Sequence, residues 1–409
     1  MNNLYKYIPV AYIYFSVGRP QDLVPFLKYL HLGDILGALT IFSIFAGPKI
    51  TKEYSRLKDK EVKYLILLGA WYIICAPFSI HLGKSAEFLI VYVKLLIIFF
   101  GLTQFLNSKD DFVLLSRTFL LSAATISITS LISGVTVQRS SIGTMYDPND
   151  LSMALIVCLP FIFWIIYNDD KKMKSLAILT LIAAFIRIVS AQSRMGFLAL
   201  LLFGFLFTFT SYSMRVSKFK KLFAAGLLIF LFIFLGSETY WQRMQGIFSA
   251  SQTGSGRTVV WKRALKMVSE KPFVGWGPGA FVSAYGRKLS AGEFELVGNS
   301  HYDEGWKTAH NSYILIMTES GIPGFIIFMA LIAIQIKNLE NIRKRYKRLG
   351  EISSSVPSIA GTIELSLFVY IFCAFFLSAI SSPFFFILIS ANVLAKKIAH
   401  RDLQTSQQI

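Results

Sequence analysis

The chain has 409 residues, 54% of them hydrophobic and only 16% charged, with a mean hydropathy of +0.56. Those values exclude a soluble globular protein, and several nearly uncharged runs reach the ~18 residues that cross a bilayer core. The net charge of +18, from 41 Lys and Arg against 23 Asp and Glu, would suggest nucleic acid in a soluble chain. Here the basic residues fall mostly in short loops, where they set orientation in a membrane, so no nucleic-acid partner is expected.

In chain order the pattern predicts spans over residues 4–17, 32–47, 62–80, 86–106, 112–133, 150–167, 174–190, 195–213, 221–236, 310–336, 362–381 and 383–399. The fold class is therefore an all-α polytopic integral membrane protein of about twelve transmembrane helices, a single membrane domain over residues 1–409. The apolar runs do not alternate, which excludes a barrel. The first segment has no small-residue cleavage site and reads as a retained helix. The last two spans are separated only by Ser381-Ser382-Pro383, a hairpin signal. Cys75, Cys158 and Cys373 all lie in apolar runs and read as packing residues, not a disulfide or metal set. There is no long internal repeat and no low-complexity tract.

Charge gives the orientation. KITKEYSRLKDKEVK (Lys49 to Lys63), KKMK (Lys171 to Lys174), RVSKFKK (Arg215 to Lys221), KNLENIRKRYKR (Lys337 to Arg348) and the tail residues Lys396, Lys397 and Arg401 all fall inside when both termini are inside. The hydrophilic segment 237–309 then forms one large external loop between the ninth and tenth spans. Trp241, Trp261, Phe273, Trp276, Phe281, Tyr285 and Trp306 supply it with packing groups, so order is expected. It contains an amphipathic helix. Ser255 or Thr258 is the candidate cap, Val260, Ala264, Leu265 and Val268 form one face, and Lys262, Arg263 and Lys266 take the other. Such a helix suits the outer membrane surface. KPFVGWGPGAF (Lys271 to Phe281) ends it, because its prolines and glycines cannot continue a helix.

The chemistry-bearing residues collect at the outer edge. His310 stands on a polar loop just before a hydrophobic helix. It reads either as a local helix-start residue or as a proton acceptor that titrates near neutral pH. Asn311 and Ser312 beside it are helix caps or sugar hydrogen-bonding groups. Arg194, in AQSRMGF, is a snorkelling arginine or a bidentate diphosphate grip. Arg187, seven residues earlier and inside the membrane, reads as a structural pairing. Arg257, in TGSGRTVVW, opens the loop helix, where Gly254 and Gly256 allow close backbone approach by an anion. Asp147, in DPND, is a turn and helix cap that could also orient a basic residue or a sugar hydroxyl. Glu319 is expected to pair with an arginine inside the bundle. The sequence holds no GxxxxGKS loop, no HExxH and no acidic pair with metal-ligand spacing. No metal and no cofactor is expected.

Taken in order, DPND (Asp147 to Asp150), SRMG (Ser193 to Gly196), SGRTVVWKRALKMVSEKPFVGWGPGAF (Ser255 to Phe281) and AHNSYILIMTESGIPG (Ala309 to Gly324) resemble the O-antigen ligase and polymerase superfamily of bacterial envelopes. In the last stretch His310, Asn311, Gly321 and Gly324 fill the ligase histidine pattern. The resemblance implies a metal-independent inverting glycosyltransferase in the bacterial inner membrane, with its active site facing the periplasm. The donor would be an undecaprenyl-diphosphate-linked glycan and the acceptor a lipid A-core sugar, with Arg194 and Arg257 on the diphosphate and His310 as general base. A polysaccharide polymerase joining lipid-linked repeat units, or a protein O-glycosylation ligase, would share this chemistry. A non-enzymatic transporter of lipid-linked sugars would place its polar residues near the bilayer midplane, which this chain does not.

Overall fold

The computed structural model describes residues 4–24, 26–47, 59–132, 147–209, 219, 226, 257–294, 307–350 and 355–406. Among them every regular element is a helix, and eight helices are long and apolar enough to cross a membrane. We label the principal helices α1 (Tyr7–Ile13, continued by a π turn over Tyr14–Gly18), α2 (Leu32–Ala46), α3 (Lys60–Cys75), α4 (Leu82–Phe105), α5 (Lys109–Ile132), α6 (Pro148–Asn168) and α7 (Lys171–Ser190). They continue as α8 (Arg194–Phe209), α9 (Arg257–Glu270), α10 (Phe281–Ser290), α11 (Ser312–Arg348), α12 (Val356–Ala374) and α13 (Pro383–Ser406). The expected spans 4–17, 32–47 and 195–213 correspond to shorter apolar helices, and 221–236 lies, but for Gly226, outside the described residues.

Burial sorts the helices. The apolar stretches of α6, α12 and α13 are 83%, 83% and 89% buried, against 33% for α3 and 39% for α7. The first three therefore form the centre, which is why they are apolar on all sides, and the others present a face to lipid. α6 packs on α5, α7 and α12, while α13 packs on α4 and α12. The basic stretch Lys337 to Arg348 is not the expected loop but the last turns of α11. Leu339, Ile342 and Tyr346 recur at helical spacing and are buried, and the Tyr346 hydroxyl bonds Asp402 of α13 at 2.8 Å. Packing on that stripe holds the helix past the point where hydropathy alone would end it.

The chain directions define two ends. α11 and α13 begin at the end that carries His310 and terminate at the other, here called the far end. At the far end Lys396 bonds Asp59 at 2.8 Å and Glu61 at 3.0 Å, and Asn338 donates to Glu61 at 2.5 Å. Lys397 fills the open carbonyls at the close of α4, bonding Thr103 and Leu106, and reaches the Asn107 side chain at 2.9 Å. A cation there satisfies orphan acceptors that a helix C-terminus leaves exposed.

At the histidine end the loop unit of α9 and α10 is keyed into the membrane domain. α11 breaks at Gly321, where φ is 70° and ψ is −179°. The turn between α9 and α10 supplies the partners that the break leaves open: Trp276 N–H donates to Thr318 O and Gly277 N–H to Glu319 O, both at 2.9 Å, and Ile322 N–H donates to Pro272 O at 2.7 Å. This pairing requires backbone-to-backbone approach. A side chain on Gly275 would meet the Glu319 carbonyl group, and one on Gly321 would run into the Phe273 carbonyl. Ser85 in α4 donates to Pro278 O at 2.8 Å and so fixes the other side of the turn.

Three expectations for the loop helix need correction. Arg263 is not on the exposed face but 6% exposed, its guanidinium bonded to the Tyr285 hydroxyl at 2.9 Å and lying 5.3 Å from the Phe294 ring centre. An aromatic pocket and the Tyr285 hydroxyl compensate its burial. Leu265, expected inside, is 50% exposed, and Phe273 is 73% exposed at the tip of the turn. Thr258 lies within the first turn of α9 and not ahead of it; Ser255 lies outside the described residues.

Candidate active site

Four separately folded segments deliver the residues. Asp147 caps α6, its Oδ1 accepting from Asn149 N–H at 2.7 Å and Asp150 N–H at 2.8 Å. Arg194 is the first residue of α8, whose own cap is Ser193: its Oγ accepts from Gly196 N–H at 2.9 Å. Ser193 also donates to the Asn149 side chain at 2.7 Å, which ties DPND to SRMG across 44 residues. Gly196 is a glycine for a local reason, since a Cβ there would meet Ser152 of α6 at 2.6 Å. Arg257 opens α9.

His310 comes last, and its backbone is the most tightly determined. It adopts the left-handed conformation, φ 46°, which costs a non-glycine residue about 1–3 kcal/mol unless its surroundings impose it. They do. Its N–H donates to Ser378 Oγ at 3.1 Å, in the turn between α12 and α13, and Ser378 Oγ also contacts Thr308 Oγ1 at 2.9 Å. Trp261 of α9 donates its indole N–H to Ala309 O at 2.8 Å. Asn311 is the cap of α11, accepting from Tyr313 and Ile314 N–H at 3.0 Å each, so its carboxamide oxygen is committed to the helix. Ser312 bonds Leu377 O at 2.6 Å and accepts from Ala379 N–H at 2.8 Å. His31 shows the same φ of 46° ahead of α2, but its side chain is 77% exposed and reaches only Asp34, three residues away.

The electrostatics show which candidates meet. Burial lowers the His310 pKa from its usual 6.5, the Arg257 charge lowers it further, and Asp147 opposes them. Burial also lowers Arg257, with Asp147 raising and Arg194 lowering it. His310, Arg257, Arg194 and Asp147 thus share one electrostatic neighbourhood. Among the described residues neither Arg194 nor Arg257 makes an ion pair, so two like charges stand together with a single nearby carboxylate. Such a site attracts a polyanion, and a neutral imidazole beside it can accept a proton. No group of three or more His, Cys, Asp or Glu side chains suited to a metal occurs among the described residues.

Two candidates lie elsewhere. Glu319 takes no arginine; its Oε1 accepts from Phe281 N–H at 3.1 Å, and Gly279 N–H is its second backbone donor. The carboxylate serves the glycine-rich turn, because the turn brings unpaired amides to it. Arg187 is 5% exposed in α7, and its Nε has no hydrogen-bond partner, so the expected structural pairing of that nitrogen is not found. Sequence reasoning missed Ser378 and Asn149 as organisers of the site, and it gave Trp261 only a packing role. Asn149 was within reach, since it lies inside DPND; Ser378 has no local signal at all.

Residues 176–329 match the family model described as O-antigen ligase, a stretch that includes Arg194, Arg257 and His310. A Rickettsia conorii protein named "Putative polysaccharide ligase" is 26% identical over 315 residues, covering 73% of this chain and 72% of its own length. The chain is a membrane protein, and over residues 176–329 it is similar to the O-antigen ligase family.

Proposed function

We propose that the protein is a glycosyltransferase of the bacterial inner membrane, moving a glycan from an undecaprenyl-diphosphate carrier to a lipid A-core sugar at the periplasmic face. The observation that carries this reading is the grouping of Arg194, Arg257 and His310 from α8, α9 and the lead into α11, with the two guanidinium groups free of ion pairs among the described residues. The family match supports the substrate class.

The chemistry follows from the charges. The arginines hold the diphosphate and neutralise the negative charge that grows on it as the anomeric C–O bond breaks, a preorganised effect needing no ATP. His310, kept neutral by burial and by Arg257, takes the proton from the acceptor hydroxyl as that oxygen bonds the anomeric carbon. The base works on the acceptor side and the arginines on the leaving-group side. A single displacement with inversion results, producing undecaprenyl diphosphate, and it requires no metal. Asp147 supports the arrangement by offsetting the clustered positive charge.

The test is a gel of envelope polysaccharide from a strain lacking the gene, complemented with wild type or His310→Ala. Bare lipid A-core, with long polymer retained on the lipid carrier, is the expected result for both the deletion and the variant. Core bearing one repeat unit with no ladder would replace the ligase reading with a polymerase.

A further inference from the structure

The peptide unit joining Ala309 to His310 is held at both ends. Its carbonyl accepts from the Trp261 indole N–H at 2.8 Å, and its N–H donates to Ser378 Oγ at 3.1 Å. A peptide unit is planar, so two bonds at opposite edges fix the orientation of the whole plane. The next dihedral, φ of His310, is 46°, and together these set the direction in which the imidazole leaves the chain.

The two clamps come from elements that carry other parts of the site. Trp261 stands one helical turn after Arg257 on α9, so both side chains leave the same face of that helix. Ser378 lies on the turn from α12 to α13, and Phe375 on the same turn packs edge-on against Trp261, ring centres 5.4 Å apart at 74°. Trp261 therefore touches both segments that hold His310, and it links them to Arg257 through one turn of α9 and one hydrogen bond.

We infer that Trp261 is a positioning residue that sets His310 relative to Arg257 through the Ala309 carbonyl, with Ser378 as its counterpart on the amide side of the same peptide plane. The kinetic part of this inference rests on His310 being the base proposed above; the geometric part does not. Loss of either clamp frees the plane to rotate, and loss of the Trp261 N–H also removes a tie of α9 to the histidine loop. The donor is gripped by arginines whose helices remain, so the defect falls on turnover and not on donor binding.

The experiment uses the full-length protein in lipid nanodiscs. Trp261→Phe keeps the ring that packs on Phe375 and removes only the N–H; Ser378→Ala removes the acceptor for His310 N–H. Two quantities are measured across pH: transfer kinetics with an undecaprenyl-diphosphate-linked glycan, and carbethoxylation of His310 by diethyl pyrocarbonate, read by peptide mass spectrometry. Trp261→Phe is expected to lower kcat about 10- to 100-fold, the range that a misplaced catalytic group costs, with donor KM held within about twofold. The midpoint of His310 modification rises toward 6.5, because a ring freed from its fixed direction leaves the burial that depresses it most and is no longer held beside Arg257. Ser378→Ala moves both in the same direction, and the double variant loses less than the product of the two, since both act on one plane. An unchanged kcat and midpoint in the double variant overturns the inference, as does a loss of folded protein with the midpoint unmoved. If His310→Ala retains full transfer, the base assignment fails, and the modification midpoint in Trp261→Phe still decides whether the clamp exists.

Discussion

At the far end of the bundle Lys396 is shared between Asp59 and Glu61, Arg343 bonds Glu364 at 2.7 Å, and Lys109 bonds Asp402 at 2.6 Å. At the histidine end Arg194 and Arg257 stand together with no ion pair among the described residues, and Asp147, the carboxylate that acts on Arg257, is already accepting two backbone bonds as a helix cap. Both ends join helices that are remote in sequence. The far end does so by pairing opposite charges, which contributes to cohesion. Around the site the histidine end does so with neutral groups and backbone bonds, through Ser378, Trp261, Asn311 and Ser193, and leaves Arg194 and Arg257 without an ion pair among the described residues. The difference separates cations spent on joining helices, such as Lys396 and Arg343, from Arg194 and Arg257, which stand beside His310 with no ion pair among the described residues.

Substitutions at the two ends should therefore fail differently. His310→Ala is expected to slow transfer by about 10²- to 10⁴-fold while the folded yield and thermal midpoint stay near wild type, measured on the purified protein in one preparation. Lys396→Met should do the reverse. It leaves Glu61, fully buried, without its cation, and costs about 3–5 kcal/mol of stability in a chemical-unfolding series, with the transfer rate of the surviving folded fraction intact. A Lys396→Met protein that is stable but inactive would erase the distinction between the ends.

Arg257→Ala should cost about 10²-fold in transfer, as loss of one donor to a developing anion does, and should raise the His310 pKa by removing a positive neighbour. Gly321→Ala tests the keying of the loop unit. The new side chain meets the Phe273 carbonyl and must adopt a positive φ, so about 2–3 kcal/mol is lost and limited proteolysis should cut the α9–α10 unit first.

The smallest effect concerns pH. In the free protein His310 titrates below 6.5, so the acid limb of kcat/KM lies below that value, with activity falling as pH drops through it. Bound diphosphate neutralises the Arg257 charge that depresses the ring, so the acid limb of kcat lies at higher pH than that of kcat/KM. Coincident limbs would mean that the donor and His310 do not sense each other.

The sequence made the apolar helices readable because a bilayer demands long uncharged runs, and the eight spanning helices lie where those runs fall. It also supplied His310, Arg194, Arg257 and Asp147 as candidates, since each sits beside a cap or a glycine that marks a helix start. What it could not supply were contacts without a periodic or local signature. The Gly321 break looks like an interruption until the Pro272 carbonyl and the Trp276 and Gly277 amides are seen to fill it. Ser378 is one serine in an apolar stretch, and only the docking of the α12–α13 turn gives it His310 as a partner. Arg263 was assigned outward because charge usually is; its aromatic pocket comes from residues 22 and more positions away, and no helical pattern shows them.

The most direct test of the account is glycan transfer by purified protein reconstituted with an undecaprenyl-diphosphate-linked glycan and lipid A-core, comparing wild type, His310→Ala and Lys396→Met. Glycosylated core is expected from wild type and from folded Lys396→Met, and at least about a hundredfold less from a well-folded His310→Ala. Undiminished product from His310→Ala, with its fold verified, would contradict it.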